Sequence, residues 1–208
     1  TPSREFEARI TGIGQTHISA SLAAVAVAEA LKIETDLVVK GLLDYKPSPG
    51  RLNMIAGIKH SVLIDDSYNA SPDSMREALS VLERLPSPQK IAVLGTMREL
   101  GSLEEQAHVE IGQLVAKINP DYLITVGDGG RTIADTATQA GMAPAQVLRF
   151  ESSDEAKKVV QDIMAPESLV LIKGSQYVRM EKITKEIMAE PMRAHELLCR
   201  QYGTWLST

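Results

Sequence analysis

Residues 62–75 read VLIDDSYNASPDSM and contain the change of pattern that decides the fold. Val62, Leu63 and Ile64 form a short apolar run of the kind that fills a buried strand. Ser71 and Pro72 then supply a helix N-cap and a proline at the first helical position. A strand that leads into a helix in this way is half of a βαβ unit, the building block of parallel sheets.

The same alternation continues to the end of the chain, where each apolar run is followed by an amphipathic stretch. Further strands are predicted at 91–94, 122–126, 147–148 and 169–172, and helices at 72–85, 103–118, 130–141, 153–164 and 179–189. Repeated strand–helix pairs of this length predict an α/β fold with a mainly parallel sheet that carries helices on both faces.

The part of the chain before this alternation reads differently. Phe6 to Ile10 alternates as a short strand would, and an alanine-rich segment at 19–32, apolar on nearly every side, predicts a buried helix. A second helix is expected at 35–43, with Thr35 as its N-cap. Prolines and glycine around residue 48 then mark a boundary, which gives predicted regions 1–47, 48–190 and a helical tail, 191–208.

Composition excludes several classes of protein. The chain has 208 residues, 44% of them hydrophobic, and a net charge of −5, which argues against a disordered chain and against a broad nucleic-acid-binding surface. The single cysteine rules out a disulfide within the chain. Apolar runs are too short to span a membrane, and no secretory signal is visible. We therefore expect a cytoplasmic protein without nucleic-acid or membrane partners.

Candidate site residues follow the strands, because ligands of open α/β sheets bind beyond the carboxyl ends of the strands. Asp65 and Asp66, followed by hydroxyls and the amide of Asn69, suit a sugar diol, a cation or a phosphate-bound metal. Acidic residues are also common at an ordinary helix entry, where they favour the helix dipole.

Two basic residues are candidates for binding anions. Lys173, followed by Gly174 and Ser175 at the end of the last strand, can hold a carboxylate or a phosphate, although exposed lysines beside turns are common. Arg51, at the predicted domain boundary, can bind a phosphate through two hydrogen bonds or can simply be a surface residue.

Two other patterns are weak. The glycines of 127–130 resemble part of a dinucleotide fingerprint and leave a nicotinamide oxidoreductase as one alternative. The four histidines are scattered, with none of the spacings typical of zinc ligands. We therefore predict no metal site within this chain.

Taken in order, these segments resemble the Mur ligase family, and within it the branch that adds D-alanyl-D-alanine. The residues that carry the resemblance are 49–51, 65–75, 93–101 and 172–176. The resemblance implies that 48–190 form a Rossmann-like C-terminal domain and that 1–47 are a small helical remnant of the central ATPase domain.

The resemblance also implies a reaction and a set of substrates. ATP would phosphorylate the terminal carboxylate of UDP-MurNAc-tripeptide, and the amine of D-alanyl-D-alanine would displace the phosphate, in peptidoglycan precursor synthesis. A monomer that uses ATP and Mg²⁺ is expected. No G-x-x-x-x-G-K-[ST] phosphate loop occurs in the 208 residues. We therefore expect this chain to be the C-terminal part of such a ligase and to be inactive alone. The metal ligands are expected in the upstream domain.

Matched positions suggest the role of each residue. By resemblance, Arg51 would contact the ATP phosphates, Asp66 the ribose, and Asn69 would lie beside the nucleotide. Lys173, Gly174 and Ser175 would hold the incoming dipeptide, with Arg51 and Lys173 as the catalytic residues.

Two departures from the family pattern keep other readings open. Thr96 stands where the family has an acid, and Gln176 stands where it has an arginine, although Arg179 is close enough to substitute. The alternatives are another Mur-type amino-acid ligase, including folylpolyglutamate-like enzymes, and a non-catalytic module that keeps the fold.

Overall fold

The computed structural model describes residues 4–206 and divides the chain into two compact units, Thr1–Ser48 and Pro49–Thr208. Within the described residues, none of the helices combines the length and the apolar character that crossing a membrane requires.

From residue 4 onward, the first unit contains two helices, α1 (Gln15–Ala30) and α2 (Thr35–Asp44). The prediction that the alanine-rich helix is buried is wrong, since only His17 and Ala28 of α1 are buried. Most of α1 is not buried because α2 is the one other helix in the described part of this unit, and a single neighbouring helix can cover only one face.

Two further predictions for this unit are also wrong. Residues 6–10 form no strand, because the described residues of the unit offer no strand for them to pair with. Thr35 is the first helical residue and not the N-cap, a position that Glu34 occupies without a side-chain cap. The Thr35 hydroxyl instead accepts a hydrogen bond from Arg4 Nη1 at 2.8 Å.

The second unit is built on a six-stranded sheet with the order β1-β2-β6-β3-β4-β5. All neighbouring pairs are parallel except β1 with β2. The strands are β1 (Asn53–Ala56), β2 (Val62–Asp66), β3 (Lys90–Gly95), β4 (Tyr122–Val126), β5 (Val147–Phe150) and β6 (Leu169–Lys173). The predicted fold class, a mainly parallel Rossmann-like sheet, is confirmed.

Helices cover both faces of this sheet. They are α3 (Pro72–Arg84), α4 (Glu104–Ile118), α5 (Gly127–Gln139), α6 (Ser153–Ile163) and α7 (Glu181–Ile187). One face carries α6 and α7, whose side chains share a core with every second residue of the strands, such as Ile91 and Val93. The residues between these, such as Ala92 and Leu94, are also fully buried and face the layer of α3, α4 and α5.

Ser71 begins α3 as its sequence predicts. Its hydroxyl accepts from the backbone N–H of Ser74, whose side chain accepts in return from the N–H of Ser71. With Pro72 at the first helical position, this reciprocal cap fixes where the chain leaves the site loop and enters the helix.

The tail, predicted to be helical over 191–208, is only partly so. It forms a turn at Pro191–Arg193, a helix of only four residues at Ala194–Leu197, and a second turn at Gly203–Leu206. The helix stops because Leu198 turns extended and buries its side chain, and Arg200 then takes a left-handed conformation with φ 56°. Burial of these two residues outweighs the continuation of a short helix.

Candidate functional site

Lys173 and Asp66 form a buried ion pair at the carboxyl ends of β2 and β6. The parallel register sets the two residues opposite each other. Lys173 Nζ lies 2.6 Å from Asp66 Oδ2, and the side chains are 1% and 8% exposed. Burial lowers the pKa of Lys173, an effect that the attraction of Asp66 opposes. The pair is thus a fixed, buried element at the base of the candidate site.

Lys173 also holds the loop that follows β2. Its Nζ donates to the backbone carbonyl of Asn69 at 3.0 Å. One ammonium group therefore ties the first and the last residue of the Asp66–Asn69 turn. Asn69 itself is exposed to solvent.

Arg51 is held against the same turn. Tyr68 N donates to the carbonyl of Gly50 at 3.1 Å, and Leu52 N donates to Asp66 Oδ1 at 3.1 Å. The Arg51 guanidinium carbon lies 4.1 Å from the centre of the Tyr68 ring, a cation–π distance. Arg51, Asp66 and Lys173, which sequence analysis selected separately, therefore gather around one loop.

Gly50 has a specific reason to be glycine. Its φ is +74°, and a Cβ there would lie 2.9 Å from the backbone nitrogen of Tyr68. Any side chain would push the Arg51 segment away from the Asp66–Asn69 turn.

Gly174 and Ser175 lie deeper than their predicted role requires. A Cβ on Gly174 would lie 2.7 Å from Met180 Cγ, so the residue lets β6 and the following turn pack closely. Ser175 is 2% exposed, and its backbone N–H donates to the carbonyl of Thr96 at 3.0 Å. Among the described residues, its hydroxyl meets no hydrogen-bond partner. This leaves one buried polar group available at the carboxyl end of β6.

Asp65 is a buried carboxylate whose environment the sequence did not reveal. Burial raises its pKa to about 7, although hydrogen bonds from Ser67 and Thr184 act in the opposite direction. The Thr184 hydroxyl donates to Oδ1 at 2.9 Å. Because successive side chains of a strand point to opposite faces, Asp65 lies on the face of the sheet opposite that of Asp66.

The tail supplies a residue that sequence reasoning missed. Arg200 is 5% exposed and donates to the backbone carbonyls of Ser67, at 3.1 Å, and of Tyr68. It is separated from these residues by more than 130 positions, and the sequence around it has no motif that points to them. The sequence therefore carries no signal that could have identified Arg200, and its burial becomes visible only in the structure.

Arg179 does not take the position of a free cation beside Gln176. Its Nε lies 2.5 Å from Glu181 Oε1, and its Nη2 donates to the carbonyl of Trp205 at 2.7 Å. Arg98, after β3, is more accessible: its side chain is 38% exposed, and its guanidinium lies 5.0 Å from the ring centre of Tyr177.

Thr96 and the glycines after β4 have structural explanations. Thr96 is fully buried, and its hydroxyl accepts from the N–H of Gly129 at 3.1 Å. A Cβ on Gly129 would lie 2.2 Å from His108 Nε2, so this glycine is a packing requirement. His108 Nε2 in turn accepts from Met97 N at 2.8 Å, and burial lowers the pKa of the ring. The nicotinamide alternative thereby loses the motif on which it rested.

The carboxylates of the described residues do not fit a magnesium ion. No cluster of three or more acidic, histidine or cysteine side chains with a suitable arrangement occurs between residues 4 and 206. Asp66 is already neutralised by Lys173, and the raised pKa of Asp65 disfavours its charged form.

Comparison with known proteins identifies the family to which the residues of the site belong. Residues 50–176 match the domain described as "Mur ligase, glutamate ligase domain". The UDP-N-acetylmuramoyl-tripeptide–D-alanyl-D-alanine ligase of Bacillus subtilis is 30% identical over 181 residues, 86% of this chain. The chain spans 39% of the length of that enzyme.

Solved structures agree in fold. A crystal structure of MurF from Acinetobacter baumannii, 30% identical, covers 93% of this chain with a TM-score of 0.78, and the chain covers 41% of it. MurF from Thermotoga maritima in complex with ADP, 22% identical, covers 87% of the chain and has 40% of its own length covered, with a TM-score of 0.73. The family that the sequence resembles is confirmed: this chain belongs to the Mur ligase family.

Proposed function

We propose that the chain is the C-terminal part of an ATP-dependent ligase that joins D-alanyl-D-alanine to UDP-MurNAc-tripeptide in the cytoplasm. The names of the relatives support this acceptor. The observation that carries the proposal is that Arg51, Asp66 and Lys173, within the family-matched residues, converge on one loop. In this assignment, residues 1–47 correspond to the end of the central domain and 48–190 to the C-terminal domain.

The nucleotide side of the site would be formed by Arg51, Asp66 and Asn69. Arg51 offers a guanidinium fork for phosphate oxygens, held by the Tyr68 ring. Asp66 accepts one hydrogen bond on each oxygen, from Leu52 and Lys173. Each carboxylate oxygen can accept a second bond, so ribose hydroxyls can be bound without breaking the ion pair.

The acceptor side would be formed where β3 and β6 end together. The backbone hydrogen bond from Ser175 to Thr96 joins their two loops, and the buried Ser175 hydroxyl has no hydrogen-bond partner among the described residues. Because Lys173 is occupied by Asp66 and Asn69, its role toward the dipeptide would use its third N–H donor. Arg98, whose Nη1 lies 3.3 Å from Glu104 Oε1, is partly exposed beside this junction and would have to exchange that partner to bind a carboxylate of the dipeptide.

The chemical step would depend mainly on positioning. Phosphoryl transfer to a carboxylate, followed by amine attack on the acyl phosphate, leaves little covalent work to the protein. Arg51 would offset charge that develops on the phosphates. The fixed Lys173–Asp66 ion pair would keep nucleotide and acceptor in one orientation.

An acceptor panel tests this assignment. The full-length protein is incubated with ATP, Mg²⁺ and UDP-MurNAc-tripeptide, and ADP release is measured with D-alanyl-D-alanine, diaminopimelate, lysine or glutamate. ADP release that requires D-alanyl-D-alanine is the expected result. Release with a single amino acid would indicate another ligase of the family, and no release with any acceptor would favour a non-catalytic module.

A further inference from the structure

The tail reaches the site loop through Arg200. Its two terminal nitrogens donate to two successive carbonyls, Nη1 to Ser67 at 3.1 Å and Nη2 to Tyr68. Strand β2 ends at Asp66, so both carbonyls lie beyond the strand. A planar guanidinium can bond two neighbouring oxygens at once, which an ammonium cannot do with the same geometry.

Glu181 anchors this arrangement from below. The side chain is fully buried at the start of α7. Its Oε2 lies 3.4 Å from Arg200 Nη1, and its Oε1 lies 2.5 Å from Arg179 Nε. Arg179 Nη2 also donates a hydrogen bond to the carbonyl of Trp205 at 2.7 Å. The tail is thus docked at Arg200 and again at Trp205, through one shared carboxylate.

The Tyr68 ring links this docking to Arg51. The guanidinium carbon of Arg200 lies 5.2 Å from the ring centre, and that of Arg51 lies 4.1 Å from it. Arg200 also donates a hydrogen bond to the carbonyl of Tyr68. The N–H of Tyr68 in turn donates to the carbonyl of Gly50, the neighbour of Arg51. A displacement of Tyr68 would therefore move Arg51 through both its ring and its backbone.

We propose that Arg200 is a positioning residue for nucleotide use: it fixes Ser67 and Tyr68 and, through the Tyr68 ring, the direction of Arg51. The inference rests on the proposed function and extends it to the tail. Asp66 has independent support from Lys173 and Leu52. Loss of Arg200 should therefore act on Arg51, and on the use of ATP, more than on the binding of the acceptor.

Steady-state kinetics of the full-length protein test this role. Arg200→Ala is expected to raise KM for ATP about tenfold, the effect of losing hydrogen bonds from a charged group, and KM for D-alanyl-D-alanine less than threefold. Arg200→Lys should recover part of the loss. Arg193→Ala is the matched control, because Arg193 lies in the same tail but its ion pairs within residues 4–206 are with the exposed Glu190 and Glu196.

Tyr68→Leu keeps the test decisive if removal of Arg200 prevents folding. Tyr68 is 43% exposed, so the substitution is compatible with the fold. It should raise KM for ATP as Arg200→Ala does, and Tyr68→Phe, which keeps the ring, should bring the value back to within about threefold of wild type.

Cys199 reports tail docking without reference to turnover. It is the one cysteine of the chain, is 8% exposed and accepts from Arg200 Nη1 at 3.1 Å. Modification by iodoacetamide, followed at this residue by mass spectrometry, should be slow in wild type and at least about tenfold faster in Arg200→Ala. A non-hydrolysable ATP analogue should slow it further in wild type, since coupling between two sites is reciprocal.

A wild-type KM for ATP in Arg200→Ala, with only a lower melting temperature, would overturn the positioning role and leave the proposed function intact. The same applies if Tyr68→Leu leaves KM for ATP unchanged. A wild-type protein that shows no ATP-dependent turnover with D-alanyl-D-alanine would reject the proposed function first, before any variant is compared, and the positioning role with it.

Discussion

Lys173 Nζ and Asp66 Oδ2 lie 2.6 Å apart in a site from which water is almost excluded, and the same ammonium group holds the carbonyl of Asn69 at 3.0 Å. The parallel register of β2 and β6 creates this pair. Removing one partner would strand a buried charge, which is far more costly than losing a surface ion pair.

A double-mutant cycle on this pair gives the first prediction. Lys173→Met and Asp66→Asn should each lower the free energy of unfolding by about 3–5 kcal/mol, and the double variant should lose less than the sum of the two. Urea denaturation measures all four proteins. Lys158→Met, which removes an exposed partner of Asp162, is the control. Strictly additive losses would show that the pair is not coupled.

Asp65 gives a prediction about pH. Its pKa is raised from 3.8 to about 7 by burial, so between these values the folded state holds a proton that the unfolded state releases. The contribution of Asp65 to stability should therefore be fully present below the unfolded pKa and should be lost as pH rises toward and through 7. Asp65→Asn cannot ionise and should gain stability relative to wild type over this window, by at most about 4 kcal/mol.

Urea denaturation of both proteins at pH 5 and pH 8 measures this difference. Asp73→Asn serves as the control, because that carboxylate is 95% exposed at the start of α3. A difference between Asp65→Asn and wild type that is the same at both pH values would contradict the prediction.

Arg51 gives a kinetic prediction. In the full-length protein, Arg51→Ala should reduce kcat/KM for ATP about 10- to 100-fold, since a charged bidentate contact is lost. Arg51→Lys should retain part of the activity, because it keeps the charge and loses the fork. Arg149→Ala, on the edge strand β5 and paired with Asp135, is the comparison. Wild-type kinetics in Arg51→Ala would remove Arg51 from the nucleotide site.

The isolated chain gives a fourth prediction. The 208 residues contain no phosphate loop of the G-x-x-x-x-G-K-[ST] type, and Arg51 alone does not replace one. The purified chain should therefore release no ADP from ATP, with or without peptide and D-alanyl-D-alanine. Measurable release by the chain alone would show that its own residues suffice for phosphoryl transfer.

Much of the second unit was predictable because each central strand is a continuous apolar run followed by a polar loop. Val62–Asp66 and Tyr122–Val126 are examples whose bounds lie within two residues of the prediction. Strand β1 was missed because Asn53–Ala56 is short, lies at the sheet edge and runs antiparallel. Its four residues carry too little periodicity to be distinguished from a loop.

The site residues were predictable by type and position, and their partners were not. Asp66 and Lys173 are visible at the ends of two strands, but their pairing depends on β6 lying beside β2, an order that the sequence does not show. Arg200 was missed for a similar reason, because its partners lie more than 130 residues away. Local patterns report helices and strands, whereas contacts of this range depend on the completed sheet.

A crystal structure of the full-length protein with a non-hydrolysable ATP analogue and D-alanyl-D-alanine tests the central claim most directly. The account predicts ribose oxygens within hydrogen-bond distance of Asp66, phosphate oxygens facing Arg51, and Lys173 still paired with Asp66. A nucleotide bound away from the Arg51–Asp66 loop, with neither residue within 5 Å of it, would contradict the account.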